Sequence, residues 1–500
     1  MIRGLDTSVK RLRKKVFAEV ARVAYESNNV NDDIEAIPYR ITPGDEPQYR
    51  ESIWRERAIA AERVRLAMGM SLRPEDQPVH ITAGLDESNI SQKYYDPPLM
   101  QVIPSGCDAC PTNRYKVSSI CRGCVAHPCV EVCPKDAIQL ENGRSVIDQE
   151  KCIKCGKCKT ACPYDAIVHE TRPCTDACGV NAIESDRLGR AHINTKKCVS
   201  CGMCMVNCPF GAIADKSQIF QLIRALKEDG EMIAEVAPAI AGQFGKSSLE
   251  NINAALLKLG FSKVYEVALG ADMGAVIEAH HYVAEVVNGE LPFMLTSCCP
   301  SWSMLAKTYF PEVINEISTS LTPMVATART IKKKHPQARV VFIGPCAAKK
   351  LEAMRTRIRS DVDFVITFEE LDAIFEAAGI DMNQYQEEAE IHDATGAGRG
   401  YGVAGGVIDA VTKCINEYYP GIEVQTQHAE GLAECRKVLQ LAKNGKSNGC
   451  LIEGMACPGG CVGGAGTIIP VPKAAQEVKK AAGTSAQSVP PRELGAIQLD

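Results

Sequence analysis

Cys152-Ile153-Lys154-Cys155-Gly156-Lys157-Cys158-Lys159-Thr160-Ala161-Cys162-Pro163 sets the architecture of this chain. In this C-x-x-C-x-x-C-x-x-x-C-P spacing three thiolates hold one [4Fe-4S] cube and the fourth reaches across to a neighbouring cube. The neighbour's ligands lie upstream, where Cys121, Cys124, Cys129 and Cys133-Pro134 repeat the motif with two extra residues in the second gap. Cys121, Cys124, Cys129 and Cys162 are therefore assigned to one cube, and Cys152, Cys155, Cys158 and Cys133 to the other. Cys-Pro-x-x-Ala-Ile recurs at 133–138 and 162–167 and marks an internal duplication. Zinc does not suit four-thiol runs that end in Cys-Pro.

Working outward, Cys198, Cys201, Cys204 and Cys208-Pro209 carry the full spacing again, while Cys174 and Cys178 form the end of a motif that lacks its first two cysteines. Cys107 and Cys110 supply them by count. One set is then Cys198, Cys201, Cys204 and Cys178, and the other is Cys107, Cys110, Cys174 and Cys208. Two ferredoxin-like units with four cubes make an electron wire. Lys151, Lys154, Lys157 and Lys159 offer a docking face to an acidic carrier or are simply a solvated face.

The 24 cysteines of this 500-residue chain would suggest disulfides in a short secreted protein. Here their two- and three-residue gaps point to metal. With 61 acidic and 56 basic side chains and a net charge of -5, the chain does not read as a nucleic-acid binder. Met1 to Lys15 is basic without a following apolar h-region, and no apolar run reaches bilayer length, so a soluble cytoplasmic protein is expected.

Residues 1–105 contain no cysteine and read as a helical segment, with amphipathic stretches at Val9 to Tyr25 and Ile53 to Met70 separated by a polar connection from Asn28 to Gln48. A structural cap, a docking surface or a homodimer contact are all open for it. The iron-sulfur domain spans 106–216. From 217 to 470 the pattern is α/β, with buried strands predicted at Met232 to Ala237, Lys263 to Ala268, Phe293 to Leu295, Arg339 to Ile343 and Asp363 to Ile366. Capping boxes are predicted at Ser247-Ser248-Leu249-Glu250 and Thr367-Phe368-Glu369-Glu370. The loop Gly396 to Gly400 lacks the spacing of a dinucleotide site. A loosely ordered tail is expected over 471–500.

Eight cysteines fall in this last region. Cys414 and Cys435 lie in helical patterning and read as core thiols, and Cys450 has no assigned role. Cys299, Cys346, Cys457 and Cys461 sit in loops beside Pro or Gly and together could hold one more cube. Successive side chains diverge, so of Cys298 and Cys299 one ligates and the other is free to move protons.

Thr296-Ser297-Cys298-Cys299-Pro300-Ser301-Trp302, Gly344-Pro345-Cys346-Ala347-Ala348-Lys349-Lys350-Leu351-Glu352 and Glu453-Gly454-Met455-Ala456-Cys457-Pro458-Gly459-Gly460-Cys461 resemble the three signature loops of the [FeFe]-hydrogenases. The resemblance implies an α+β multidomain protein with a two-lobed α/β H-cluster domain. It implies an H-cluster, a [4Fe-4S] cube joined through a cysteine to a diiron site with CO, cyanide and a bridging dithiolate. By motif, Cys299, Cys346, Cys457 and Cys461 would bind the cube, and Cys461 would bridge to the diiron site. Cys298 would exchange protons, Lys349 would donate to a cyanide, Met455 would pack nearby, and Pro238, Ser297 and Pro345 would contact the cofactor. A fixed cationic donor suits an anion in a dry pocket, and a thiol suits proton exchange near neutral pH. Glu278 would continue the proton path, although an exposed helix glutamate reads the same in sequence. The glycines after Met455 would leave room for the diiron site.

Gly344, Ala239 and His281 depart from the usual methionine, serine and glutamate of the family. With the helical N-terminus they resemble its group B branch from anaerobic bacteria. Implied partners are a ferredoxin or similar electron carrier and hydrogenase maturation proteins, with no nucleic acid and no membrane. The implied reaction is reversible formation of H2. A hydrogen sensor or an iron-sulfur assembly protein on the same scaffold are the other classes, and Cys298, Lys349 and Met455 argue against the latter.

Overall fold

Three helices open the chain, Ser8–Glu26, Val30–Ile41 and Ile53–Ala67, in a computed structural model that describes residues 4–245, 247–385 and 394–496. The middle helix occupies the stretch read as a polar connection. Its Ile34, Ile37 and Ile41 recur at helical spacing and are buried, and Asn29 caps it. Pro38, inside the helix, masked that pattern. The first helix lays Val16, Val20 and Ala24 into the same apolar core as the strands of the large α/β region. Its Arg13 pairs at 2.7 Å with the buried Glu369, so residues 1–105 share a core with the rest of the chain.

The iron-sulfur region is built from four antiparallel two-stranded ladders whose topology is nested. Met100–Val102 pairs with Ile213–Asp215, and Ile183–Ser185 with Ala191–Ile193. Between the first strand of that unit and Pro173 lies the whole of the other, where Arg114–Val117 pairs with Ile167–Glu170 and Ile138–Glu141 with Arg144–Ile147. One ferredoxin-like unit is thus inserted into the other. This explains why Cys107 and Cys110 stand so far from Cys174 in sequence.

The α/β region has two parallel sheets. In one the order is Lys263–Glu266, Met232–Val236, Arg339–Gly344, Phe364–Thr367, and all five predicted strands fall in one sheet or the other. In the second, Met294–Leu295 and Gln425–Glu430 flank Cys450–Met455. The last two strands were not expected. Gln425–Glu430 is a polar edge with little burial, and Cys450–Met455, fully buried, runs directly into the glycine-rich loop.

Three further local readings are corrected. The box at the helix Leu249–Leu259 is formed by Ser248 and Asn251, one residue later than predicted, whereas the Thr367 and Glu370 box stands. Gly396–Gly400 is a short helix capped by Thr395, not a loop. The expected loose tail contains the helix Val471–Gly483, whose Ala474 and Val478 are buried in the main core. Among the described residues no helix is long and apolar enough to cross a membrane.

A buried ion cluster joins the regions. Lys350 donates to Asp215 at 2.7 Å and to Glu370 at 2.8 Å, and all three are almost wholly enclosed. Removing one member of such a cluster leaves a desolvated charge unpaired. Lys350→Ala is expected to cost about 3–5 kcal/mol in guanidinium unfolding. A loss below about 1 kcal/mol would place the cluster among ordinary surface pairs.

Candidate metal centre

Parallel strands present their carboxyl ends to one crevice, and both sheets do so here. Pro238 follows Met232–Val236, Cys299 follows Met294–Leu295, Cys346 follows Arg339–Gly344 and Cys457 follows Cys450–Met455. All four line one cavity between the sheets, together with Cys298, Pro345, Lys349, Met455 and Cys461. It encloses about 770 Å³ of non-atom space, counted out to its mouth. Ser297 is not part of the lining. Its hydroxyl donates to Ser320 O at 2.8 Å and its N–H faces Glu278 at 3.4 Å.

Two of the thiols sit at helix starts. Cys299 is the N-cap of Pro300–Tyr309 and Cys346 that of Ala347–Glu352. Backbone N–H groups of Ala456, Trp302 and Ser301 are directed at Cys299, and those of Lys349 and Ala348 at Cys346. These donors favour anionic sulfur, yet burial wins: Cys346 is pushed up to about 11, and Cys461 higher still. Thiols so desolvated become thiolates when a metal supplies the missing positive charge. The donor set therefore fits a buried iron-sulfur cube. No three His, Cys, Asp or Glu side chains among the described residues close on a point at single-ion distance.

Lys349 supports the same reading. Its ammonium lies 2.6 Å from Glu352, but the contact lacks hydrogen-bond alignment and Nζ is buried with no other protein acceptor. Its protons are left for an anion in the cavity. Cys298 is pushed well above the ordinary thiol range, first by burial and then by the charge of Glu278. Glu278 is itself buried on the helix Ala268–His281, which removes the exposed-glutamate reading. Ser318 and Ser297 hydrogen-bond it, but burial outweighs them and raises its carboxyl to about 7. His281, one turn on, is half-buried, and burial holds it below the usual imidazole value.

The accessory cysteines gather in sets. Cys174 feels Cys208, Cys107 and Cys110 as charged neighbours, and Cys204 feels Cys201, Cys198 and Cys178. In the inserted unit Cys158 faces Cys152 and Cys155, and Ser145 touches both Cys121 and Cys129. Four equivalent N–H···S bonds mark the repeat: Ala137 to Cys133, Ala166 to Cys162, Ala182 to Cys178 and Ala212 to Cys208, at 3.2–3.4 Å. Each follows a residue in the left-handed region, Asp136, Asp165, Asn181 or Gly211. Cys299 is among the charges acting on Cys201, and Ser301 Oγ donates to Val199 O at 2.8 Å, so this set abuts the cavity's thiols.

The glycines of the third loop have a second reason beyond the one expected. A Cβ on Gly454 would lie 2.0 Å from the Trp302 ring, one on Gly460 2.4 Å from Ala404 N, and one on Gly464 2.4 Å from Pro345 O. They are required by close protein packing. Likewise the Phe342 ring fills the space a side chain at Gly344 would take and itself lines the cavity. Sequence reading also missed Glu453, whose carboxylate accepts from the N–H groups of Gly405, Val407 and Ile408 at 2.8–3.1 Å. It anchors the segment that brings Tyr401 and Gly402 to the cavity. Cys414 and Cys435 are buried core thiols as expected, and Cys450 is buried at the start of its strand.

Comparison with known proteins agrees with this geometry. A family model described as iron only hydrogenase large subunit, C-terminal domain, matches residues 230–465. A 4Fe-4S binding domain matches 145–168 and the LdpA Fe-S cluster-binding domain 169–219. The periplasmic [Fe] hydrogenase large subunit of Nitratidesulfovibrio vulgaris is 31% identical over 373 residues, covering 64% of this chain and 85% of that one. Iron hydrogenase 1 of Clostridium pasteurianum is 29% identical over 402 residues, 69% of each. A probable cytosolic Fe-S cluster assembly factor of Aedes aegypti is 26% identical over 276 residues, 45% and 58% respectively.

The raised Glu278 carboxyl has a pH signature. The folded chain keeps this proton up to about 7 while the unfolded chain releases it near 4.5, so its contribution to stability is lost as pH rises through that window. Glu278→Gln should gain about 3 kcal/mol relative to the parent between pH 5 and pH 8. An equal stability difference at both values, in urea unfolding, would show Glu278 to be an ordinary carboxylate.

Proposed function

Because this chain belongs to the iron-only, or [FeFe], hydrogenase family, we propose that it interconverts protons, electrons and H2 and exchanges the electrons with a ferredoxin-like carrier. The observation that carries this reading is the convergence of five cysteines, Lys349 and Met455 on one apolar cavity. When bound there, the H-cluster supplies the iron chemistry that makes or splits hydrogen.

The chain's own residues supply the rest. Cys299, Cys346, Cys457 and Cys461 would hold the cube, and Cys461 would also bind the diiron site. Lys349 orients an anionic ligand through its ammonium protons, and Glu352 keeps that ammonium charged against its burial. Pro238, Pro345 and Met455 exclude water from the lining. Cys298 holds a proton on Sγ at neutral pH and passes it to or from Glu278, whose carboxyl, at about 7, can take either state. Ser297 positions Glu278 through its N–H.

Four accessory cubes would supply one-electron transfer to this site. The inserted unit, with Cys155 and Lys151, Lys154, Lys157 and Lys159 exposed, docks an acidic carrier, and Cys178, Cys198, Cys201 and Cys204 would hold the cube beside Cys299. Loading the cavity falls to hydrogenase maturation proteins. Twenty-four cysteines, most of them at metal-binding spacing, call for a reducing compartment, so the reading assigns the cytoplasm. Gly344, Ala239, His281 and the N-terminal helices support a likeness to the group B branch.

A second reading rests on the assembly-factor match, in which the cubes are present and the diiron site is not. The two separate cleanly. Anaerobic protein made with maturation enzymes should show CO and cyanide infrared bands and evolve H2 from a reduced dye; absence of the bands would favour the assembly reading. Cys298→Ala should retain the bands and lose at least about a hundredfold in turnover, and full turnover would remove its proton role.

A further inference from the structure

The role of the N-terminal segment is unread in sequence, and two of its arginines, Arg50 before the third helix and Arg63 on it, converge on one place. Arg50 Nη2 donates to Gly106 O at 2.7 Å and to Phe210 O at 3.2 Å. Arg63, on the helix Ile53–Ala67, is 4% exposed and donates to Gly211 O. Those carbonyls flank Cys107 and Cys208. From the opposite side the buried Arg172 reaches Cys110 O with Nη2 at 3.0 Å.

Three guanidinium groups thus grip the loops of one cysteine set. Arg63 has more to offer than its bond to Gly211: its Nε is buried with no protein acceptor, and Cys208 is among the charges acting on the group. A buried N–H without a partner costs free energy unless something not made of protein accepts from it. Cluster-bound sulfur beside Cys208 is such an acceptor. Other cysteines are the strongest charged neighbours in both sets, but Arg172 also acts on Cys110 and Cys174, where the charges acting on Cys198, Cys201 and Cys204 are those of cysteines.

We propose that the N-terminal segment is an electrostatic collar for the cluster of Cys107, Cys110, Cys174 and Cys208, in which Arg50 and Arg63 act with Arg172 as positioning residues that raise its reduction potential above that of the adjoining cluster. The inference rests on the accessory-cluster assignment made above. Reduction adds one electron to the cube, one ferric equivalent becoming ferrous with no bond made or broken, and fixed positive charge stabilises the added negative charge. The cluster then holds an electron on the way to the one beside Cys299, so a second can arrive before the first is used.

The test is a potentiometric titration followed by electron paramagnetic resonance on the full chain carrying its iron-sulfur clusters, with iron counted in each variant. Arg50→Gln and Arg63→Gln should each lower the midpoint of a single cluster by about tenfold in its reduction constant, about 59 mV for one electron. Arg63→Lys, which keeps the charge, should restore most of the shift. Unmoved midpoints with full iron overturn the collar. If Arg63→Gln fails to fold, Arg50→Gln decides alone by the same criterion. Cys107→Ser separates the two layers: loss of one cube's iron supports the cluster on which the collar depends, and unchanged iron removes both. The readout is independent of hydrogen turnover, so a chain with the shift but without CO and cyanide bands keeps the collar and loses the hydrogenase reading.

Discussion

Desolvated sulfur is the constraint on which this molecule is built. Burial pushes the thiols of Cys174 and Cys201 up to about 12 and Cys204 well above its ordinary value, at Cys201 against the pull of the Met203 N–H. A core made of such groups is incomplete as protein alone, because each thiolate needs positive charge that neighbouring side chains do not provide in number. The four repeated N–H···S bonds and the two thiols at helix starts are arranged for sulfur that carries negative charge. The packing around them follows from that requirement: small apolar cores, short strands and left-handed turns that bring backbone to sulfur.

The cavity obeys the same logic with a different balance. Its walls are apolar, and its polar groups are few and aimed: an ammonium held by one carboxylate, a thiol in front of a carboxyl that is neutral or charged near pH 7, and a buried carboxylate that anchors the segment bearing Tyr401. Low dielectric makes each of these interactions strong and each unpaired group expensive. That is why Glu352 and Glu453, which touch nothing in the cavity, matter to it as much as the residues that line it.

How much of this was legible in sequence depended on how local the signal was. The ligand runs could be read because a cube takes its first three thiols from seven consecutive residues. Cys107 and Cys110 could be paired only by counting, since the nested topology that explains them is a long-range fact. The four-stranded sheet was visible as apolar runs, whereas Gln425–Glu430, a polar edge, had no such run. Val30–Ile41 was hidden by Pro38, and the helix after Val471 by a composition rich in Ala and Lys that is helical once Val478 has a core to enter. The glycines of the third loop have a second reason, close packing, that sequence did not show. Their neighbours, Trp302, Ala404 and Pro345, are distant in sequence and invisible without the fold.

The nesting of one ferredoxin-like unit inside the other has a consequence for synthesis. The inserted unit is complete in local sequence once the ribosome has passed Glu170, whereas its host waits for Ile213–Asp215 to close on Met100–Val102. The first helix waits longer, since its Arg13 meets Glu369 only after most of the chain has emerged. Cube insertion during translation would therefore run from the inside of the nest outward, and the first helix, made before either unit, would dock only after both.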